Sequence, residues 1–343
     1  MKNFRKPAQA ALIALVLAAC ASVPRILDPL SEQRIPLDEG AMAYAFVNVP
    51  EARSILDHVN IEGYNSAQVG EILDKTSFAA VALYSPESGR GIRAVTWGTY
   101  PSTRAGLAFS MSKDWKRRRS SSGKSYWYAP AHGLSLALSA GQAFAAVAPA
   151  AVRGIAAPET GEPSAREVWE STELAAGPFT QGPGIEVPEG FNVFRQGTSL
   201  ALWMDSPAES LDRFLSALRI PLRIPAEQLM VGFSALSPAD ADVSYGSGAV
   251  VVEPSGPLHE LKLRINVSSE ANARTMMTLF STARLFIFRA GNQGGTDPEI
   301  FELLSLLFSR IPEQEGVYLT LRSPPLDEER IALLFNLFSV YSQ

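Results

Sequence analysis

Few residues in this chain could do covalent or acid–base chemistry. Cys20 is the only cysteine, and His58, His132 and His259 are the three histidines. A thiolate is a nucleophile and an imidazole is a base near neutral pH, so these four side chains are the first to weigh. The histidines are scattered. His58 falls on an expected helix, His132 in an expected turn before Gly133, and His259 at an expected strand start. None lies in a His-Glu-x-x-His, phosphate-loop or paired-cysteine pattern, and each reads as a surface histidine. Gly246-Ser247-Gly248 fails the Gly-x-Ser-x-Gly nucleophile pattern, because residue 244 is Ser. A strand bulge or turn is the simpler account of it. So little sulfur and imidazole leaves scant material for zinc or copper. The sequence implies no metal and no cofactor, and the expectation is a protein that is not an enzyme.

Cys20 is different, because its surroundings say what it is for. Lys2, Arg5 and Lys6 precede the apolar run Ala10-Ala11-Leu12-Ile13-Ala14-Leu15-Val16-Leu17-Ala18-Ala19, and the cysteine follows directly. A charged start, a short apolar stretch and small residues make a secretory signal sequence. Leu17-Ala18-Ala19-Cys20 resembles the lipobox of bacterial lipoproteins, a resemblance confined to residues 1–20. It implies that 1–19 is a removable signal peptide and that Cys20 becomes the first mature residue. It further implies diacylglycerol on the sulfur and an acyl chain on the new amino group. One acyl chain holds a protein marginally, while each buried methylene adds roughly 0.8 kcal/mol, so two or three chains hold it durably. The alternatives are an ordinary signal peptide with an incidental cysteine, a buried core helix and a membrane span. A span needs about 20 apolar residues, and Pro24, Arg25 and Asp28 close this one early. Residue 21 is Ala, not the Asp that in Gram-negative lipoproteins favours the inner membrane. The resemblance therefore implies the periplasmic face of the outer membrane over the cytoplasmic membrane.

Composition bounds the rest. The chain has 343 residues, 46% hydrophobic and 19% charged, a globular balance with room for two domains. With Cys20 acylated, no intrachain disulfide is available, and a body of this size does not need one. A net charge of −5 gives no global attraction to nucleic acid.

Residues 20–40 read as the lipidated cysteine and a tether, 41–150 as a first domain, 151–196 as a Pro/Gly-rich linker, and 197–343 as a second domain. The linker's Pro and Gly density disfavours regular structure apart from a helical turn or two at 165–174. The two domains start alike. Ala43-Tyr44-Ala45-Phe46-Val47-Asn48-Val49-Pro50 and Leu200-Ala201-Leu202-Trp203-Met204-Asp205-Ser206-Pro207 each read as a strand followed by a helix start. Ser206 and Glu209 suggest a capping box. Ala52, Ile55, Leu56 and Val59 share one helix face, and Leu211, Phe214, Leu215 and Leu218 share the other. An apolar strand follows in each, at 78–84 and 230–236. Strand pairs are then expected at 92–100 with 104–112 and at 242–253 with 259–268. The first copy continues as hairpins at 125–129, 134–140 and 143–148. The second turns helical: from Ser269 to about 284, from Asp297 to about 310, then a strand at 317–322 and a helix from Asp327 to about 340. The expected fold class is α+β: two tandem strand-helix-strand-strand-strand domains, duplicated, with largely antiparallel sheets.

Two surfaces could carry binding. Trp115, Lys116, Arg117, Arg118 and Arg119, with Lys113 before them and Lys124, Tyr126, Trp127 and Tyr128 after, are the densest basic and aromatic cluster. They could meet an anionic surface, such as lipid headgroups, a cell-wall polymer or an acidic partner. They could equally be a solvated hairpin with its aromatics packed in the sheet. The C-terminal helices are apolar nearly all round and must be covered on more than one side. Their own sheet is the simpler cover. The sharper alternative is an apolar contact surface with Met276, Met277, Phe280, Phe286 and Phe288 along it. The functional expectation is a lipid-anchored envelope lipoprotein that binds or scaffolds an envelope protein or lipid. A periplasmic carrier of a lipid or other apolar ligand is the alternative, and an envelope hydrolase the third.

Overall fold

The computed structural model describes residues 34–58, 73–85, 88, 90–130, 133–139, 141–148, 177–180, 182–217, 223–236, 257–291, 305 and 309–341. Cys20 and the whole signal segment lie outside them. So do His132, the Gly246-Ser247-Gly248 stretch, the strand expected at 242–253, and most of the linker and of the helix expected from Asp297. The chain divides into two compact units: 1–53 with 60–189, and 54–59 with 190–343.

The first unit opens on the short strand β1 (Arg34–Ile35), then β2 (Ala43–Asn48), the start of α1 (Val49–His58), whose residues from Ser54 on belong to the second unit, β3 (Thr76–Leu83) and β4 (Ile92–Gly98). Helix α2 (Ser102–Met111) and four strands follow: β5 (Lys116–Arg119), β6 (Ser125–Ala129), β7 (Leu134–Ser139) and β8 (Gln142–Val147). These strands pair antiparallel in the order β2-β3-β4-β8-β7-β6-β5. Alternation sorts the side chains to opposite faces. Leu134, Leu136, Ala145 and Val147 meet Ala105 and Phe109 of α2 on one face. Tyr126, Tyr128 and Ala137 gather under Phe144 and Phe179 on the other.

The segment 104–112, expected as a strand, is helix. Ala105 and Phe109, four residues apart, are the side chains it buries. That spacing suits a helix laid on a sheet face. The helix ends where Ser112 turns extended and its N–H closes on the carbonyls of Ala108 and Phe109.

The expected tether is part of the body from residue 34 on. Ile35 and Leu37 are buried, and β1 pairs with β9 (Ile185–Glu186). The described part of the expected linker is also folded. Gly177, at φ +67°, lies so close to Tyr126 that a Cβ would stand 2.9 Å from its ring. Helix α3 (Glu189–Arg195) buries Phe191 and Phe194. Gly177 and Gly184 here mark close approaches of the backbone.

The second unit runs β10 (Leu200–Asp205), α4 (Ala208–Ala217), β11 (Ala226–Ala235), β12 (His259–Val267), α5 (Glu270–Gly291), β13 (Glu313–Glu315), β14 (Tyr318–Arg322) and α6 (Glu328–Tyr341). Its strands pair antiparallel in the order β10-β11-β12-β14-β13. Leu229, Val231, Phe233, Leu261, Ile265, Leu319 and Leu321 face a core shared with Met276, Phe280, Ile331 and Leu334 from the two long helices. Ser269 caps α5, accepting from the Asn272 N–H at 3.2 Å, and Asp327 caps α6, accepting from the Arg330 N–H at 2.9 Å. Ser206 is no cap: its φ of +50° is left-handed, α4 begins two residues later, and a cap would be extended.

The chain therefore runs strand-helix-strand-strand twice, as β2-α1-β3-β4 and β10-α4-β11-β12, each with antiparallel neighbouring strands. The further strand expected in the first copy is replaced by α2. The class is α+β with antiparallel sheets. Among the described residues, no helix is long and apolar enough to cross a membrane.

Candidate functional site

The basic cluster is an edge strand. Lys116, Arg117, Arg118 and Arg119 make up β5, all four exposed, and among the described residues β5 pairs only with β6. Charges on an edge discourage pairing with another chain, so the strand has a structural use whatever else it does. Arg117 lies opposite Trp127, and Arg118 opposite Tyr126. Arg117 and Arg119 thus share the α2 face of the sheet, and Lys116 and Arg118 the tyrosine face. Trp115 is half-buried, its ring 4.7 Å from Phe109, with Trp127 5.6 Å from the same ring. The aromatics of this cluster belong to the fold, and the cations to the surface. Burial raises the Tyr126 phenol above its ordinary pKa, while Arg118 pulls it back. Lys124 sits 5.1 Å above the Phe179 ring, a cation–π contact.

The expected apolar surface divides the other way. Met276 is 1% exposed and Phe280 is buried beside it, both in the core of the second unit. Met277 is partly buried against that core. Phe286 and Phe288 lie on the α5 backbone, but their side chains are outside the described residues. Met276 also contributes to a cavity of about 400 Å³ between α4, the approach to β11, and α5. Ile224, Pro225 and Leu279 give it apolar walls, and Asp212 and Arg223, 3.8 Å apart, stand at its side.

His259 is buried, not a surface residue. In His259-Glu260-Leu261-Lys262-Leu263-Arg264-Ile265-Asn266-Val267 it is in phase with Leu261, Ile265 and Val267, which face the core. Burial lowers its pKa, and the Glu328 carboxylate raises it by less. Its Nε2 lies 3.2 Å from Ser54 Oγ, a distance that would suit a nucleophile and its base. The surroundings do not suit that role. Ser54 is the sixth residue of α1, where backbone N–H groups are committed to the helix and leave no oxyanion donor. His259 is 1% exposed, and it is not among the residues lining the 400 Å³ cavity. The His58 side chain is outside the described residues. Among the described residues, no three His, Cys, Asp or Glu side chains converge as metal ligands would.

Sequence reasoning missed a buried ion pair. Arg93 Nη1 lies 3.0 Å from Asp38 Oδ2 and donates to the Phe179 carbonyl at 3.0 Å. The Tyr44 and Tyr84 hydroxyls both donate to the Asp38 carbonyl. Burial raises the Tyr84 pKa strongly, with Asp38 adding to it. Arg93 breaks the apolar run Ile92-Arg93-Ala94-Val95, and that break was the available signal.

These observations define an α+β protein built on antiparallel sheets. No family model matches the chain, and no curated protein matches it. Among solved structures, TP0453 in crystal form III is similar over 88% of this chain and 97% of its own, at 15% identity and a TM-score of 0.49. Crystal form IV of TP0453 gives 16% identity over 88% and 96% of the two chains, with a TM-score of 0.49. Crystal form I gives 14% identity over 92% and 98%, with a TM-score of 0.47.

Proposed function

We propose that the protein is a lipid-anchored lipoprotein of the bacterial cell envelope with a non-catalytic binding or scaffolding role. It would be held on the periplasmic face of the outer membrane through Cys20. The observation that carries this reading is the sole cysteine placed directly after Leu17-Ala18-Ala19, behind a charged start and a short apolar run. The burial of His259, and the lack of an oxyanion donor at Ser54 within α1, support a body without acid–base machinery at that histidine. Crosslinking in intact cells, with a photoreactive group at exposed positions, tests the scaffolding role. Repeated capture of one envelope protein fits it. Capture of nothing but bulk protein would count against it.

A second reading, a binder of an apolar ligand, is favoured by the cavity beside Met276. At about 400 Å³ it falls in the size range of small-molecule sites. Native mass spectrometry of the purified protein should then show a co-purifying lipid-sized mass. Leu279→Trp, which fills the cavity, should remove that mass. A single unliganded mass in every preparation would sink this reading.

A further inference from the structure

Helix α2 has two sides. Ala105 and Phe109 face the sheet, while Leu107 is 61% exposed and Met111 85%. Leu107 and Met111 are four residues apart, so they stack on one stripe of the helix, with Arg104 and Ala108 beside them. All four are exposed. The strand that follows, β5, lies against this helix and directs Arg117 and Arg119 to the same sheet face. Between Arg104 and Lys124 the chain carries seven Lys or Arg and a single acidic residue, Asp114, although the whole chain is net negative.

We propose that this face of the first unit, Leu107 and Met111 with Arg117 and Arg119, docks on an anionic phospholipid bilayer. The inference rests on the envelope-anchored reading above for its setting. Two features select a bilayer over a soluble polyanion. Cations alone would suit any polyanion, but exposed Leu and Met gain only where a hydrocarbon phase begins behind the negative charge. Fourteen chain steps separate Cys20 from Arg34, a reach of at most about 50 Å. A lipidated Cys20 therefore keeps the first unit at high local concentration beside the bilayer, where a weak second contact is well populated. The anchor sets the distance, and the docking face sets the orientation.

The absence of any other cysteine makes the test specific. Met111→Cys in the full lipidated chain accepts an environment-sensitive fluorophore once Cys20 is acylated. Glu313→Cys, on the exposed strand β13 of the second unit, is the reference. Both are reconstituted on phosphatidylcholine vesicles with and without about one-third phosphatidylglycerol. The label at 111 should shift blue and be quenched by lipid-borne quenchers on the anionic vesicles only, and the reference should not. Raising salt to about 0.5 M should reverse the shift by screening. Arg117→Glu with Arg119→Glu should lower the docked fraction roughly tenfold or more, with circular dichroism unchanged. A water-like signal at 111 on both vesicles would overturn the proposal. So would equal shifts on both, which would mean docking without charge complementarity. Mass spectrometry of Cys20 keeps the anchor separate: an unlipidated Cys20 defeats the anchored reading, while Met111→Cys with Cys20→Ser, in which 111 is the sole thiol, still reports docking on the same vesicles.

Discussion

Met111 and Met276 both stand on helices among apolar neighbours, yet 85% of one is open to solvent and 1% of the other. The difference follows from what each helix turns toward its sheet. In α5, Ala273, Met276 and Phe280 follow the three- and four-residue spacing that places them on one stripe, and all three are buried. In α2 the buried stripe is Ala105 and Phe109, and Met111 falls two residues out of phase with it. A flexible apolar side chain on a buried stripe is packing. The same side chain out of phase, next to four exposed cations, is available for contact.

The comparison can be broken by stability measurements. Truncating a buried aromatic removes transfer energy and leaves a cavity, so Phe280→Ala should cost about 3–5 kcal/mol in denaturant unfolding. Met276→Ala should cost about 2–5 kcal/mol for the same reason. A loss under about 0.5 kcal/mol there would return Met276 to the surface class. In the first unit, Asp38→Ala leaves Arg93 buried without its carboxylate partner and should cost about 3–5 kcal/mol, although it lies outside the basic edge altogether. Met111→Ser and the paired Arg117→Glu, Arg119→Glu change should each stay within about 0.5 kcal/mol of the parent, as exposed positions do.

A smaller effect is set by pH. The folded-state pKa of His259 lies below the unfolded value of 6.5. As pH falls, the unfolded chain takes up that proton first, so the stability held by neutral His259 is intact above about pH 6.5 and declines below it. His259→Gln should flatten this part of the urea-midpoint profile. Identical profiles for parent and variant would show that the histidine does not titrate on unfolding.

Much of this was legible from particular residues. The strands at 125–129 and 134–139 and the helix starts at Ser269 and Asp327 follow from alternation and capping chemistry, whereas the burial of Met276 and Phe280, offered as a contact surface, is decided by the sheet that receives them. The burial of His259 was also legible, because its phase matches Leu261, Ile265 and Val267, but residue type outweighed phase in the reading. Helix α2 was not. Gly106 lowers its helix propensity, and what decides for helix is the sheet face that receives Ala105 and Phe109, a tertiary fact. The basic cluster was visible as composition. That its cations form an edge strand depends on β5 pairing, among the described residues, only with β6, and that Leu107 and Met111 are exposed depends on Ala105 and Phe109 facing the sheet.

Lipidation of Cys20 is tested directly by metabolic labelling. Cells expressing the full chain, or its Cys20→Ser variant, are grown with a labelled fatty acid, and the protein is recovered from membrane and soluble fractions. Label is expected on the parent in the membrane fraction, and for Cys20→Ser loss of the label with release from that fraction. Label on Cys20→Ser equal to that on the parent would contradict it.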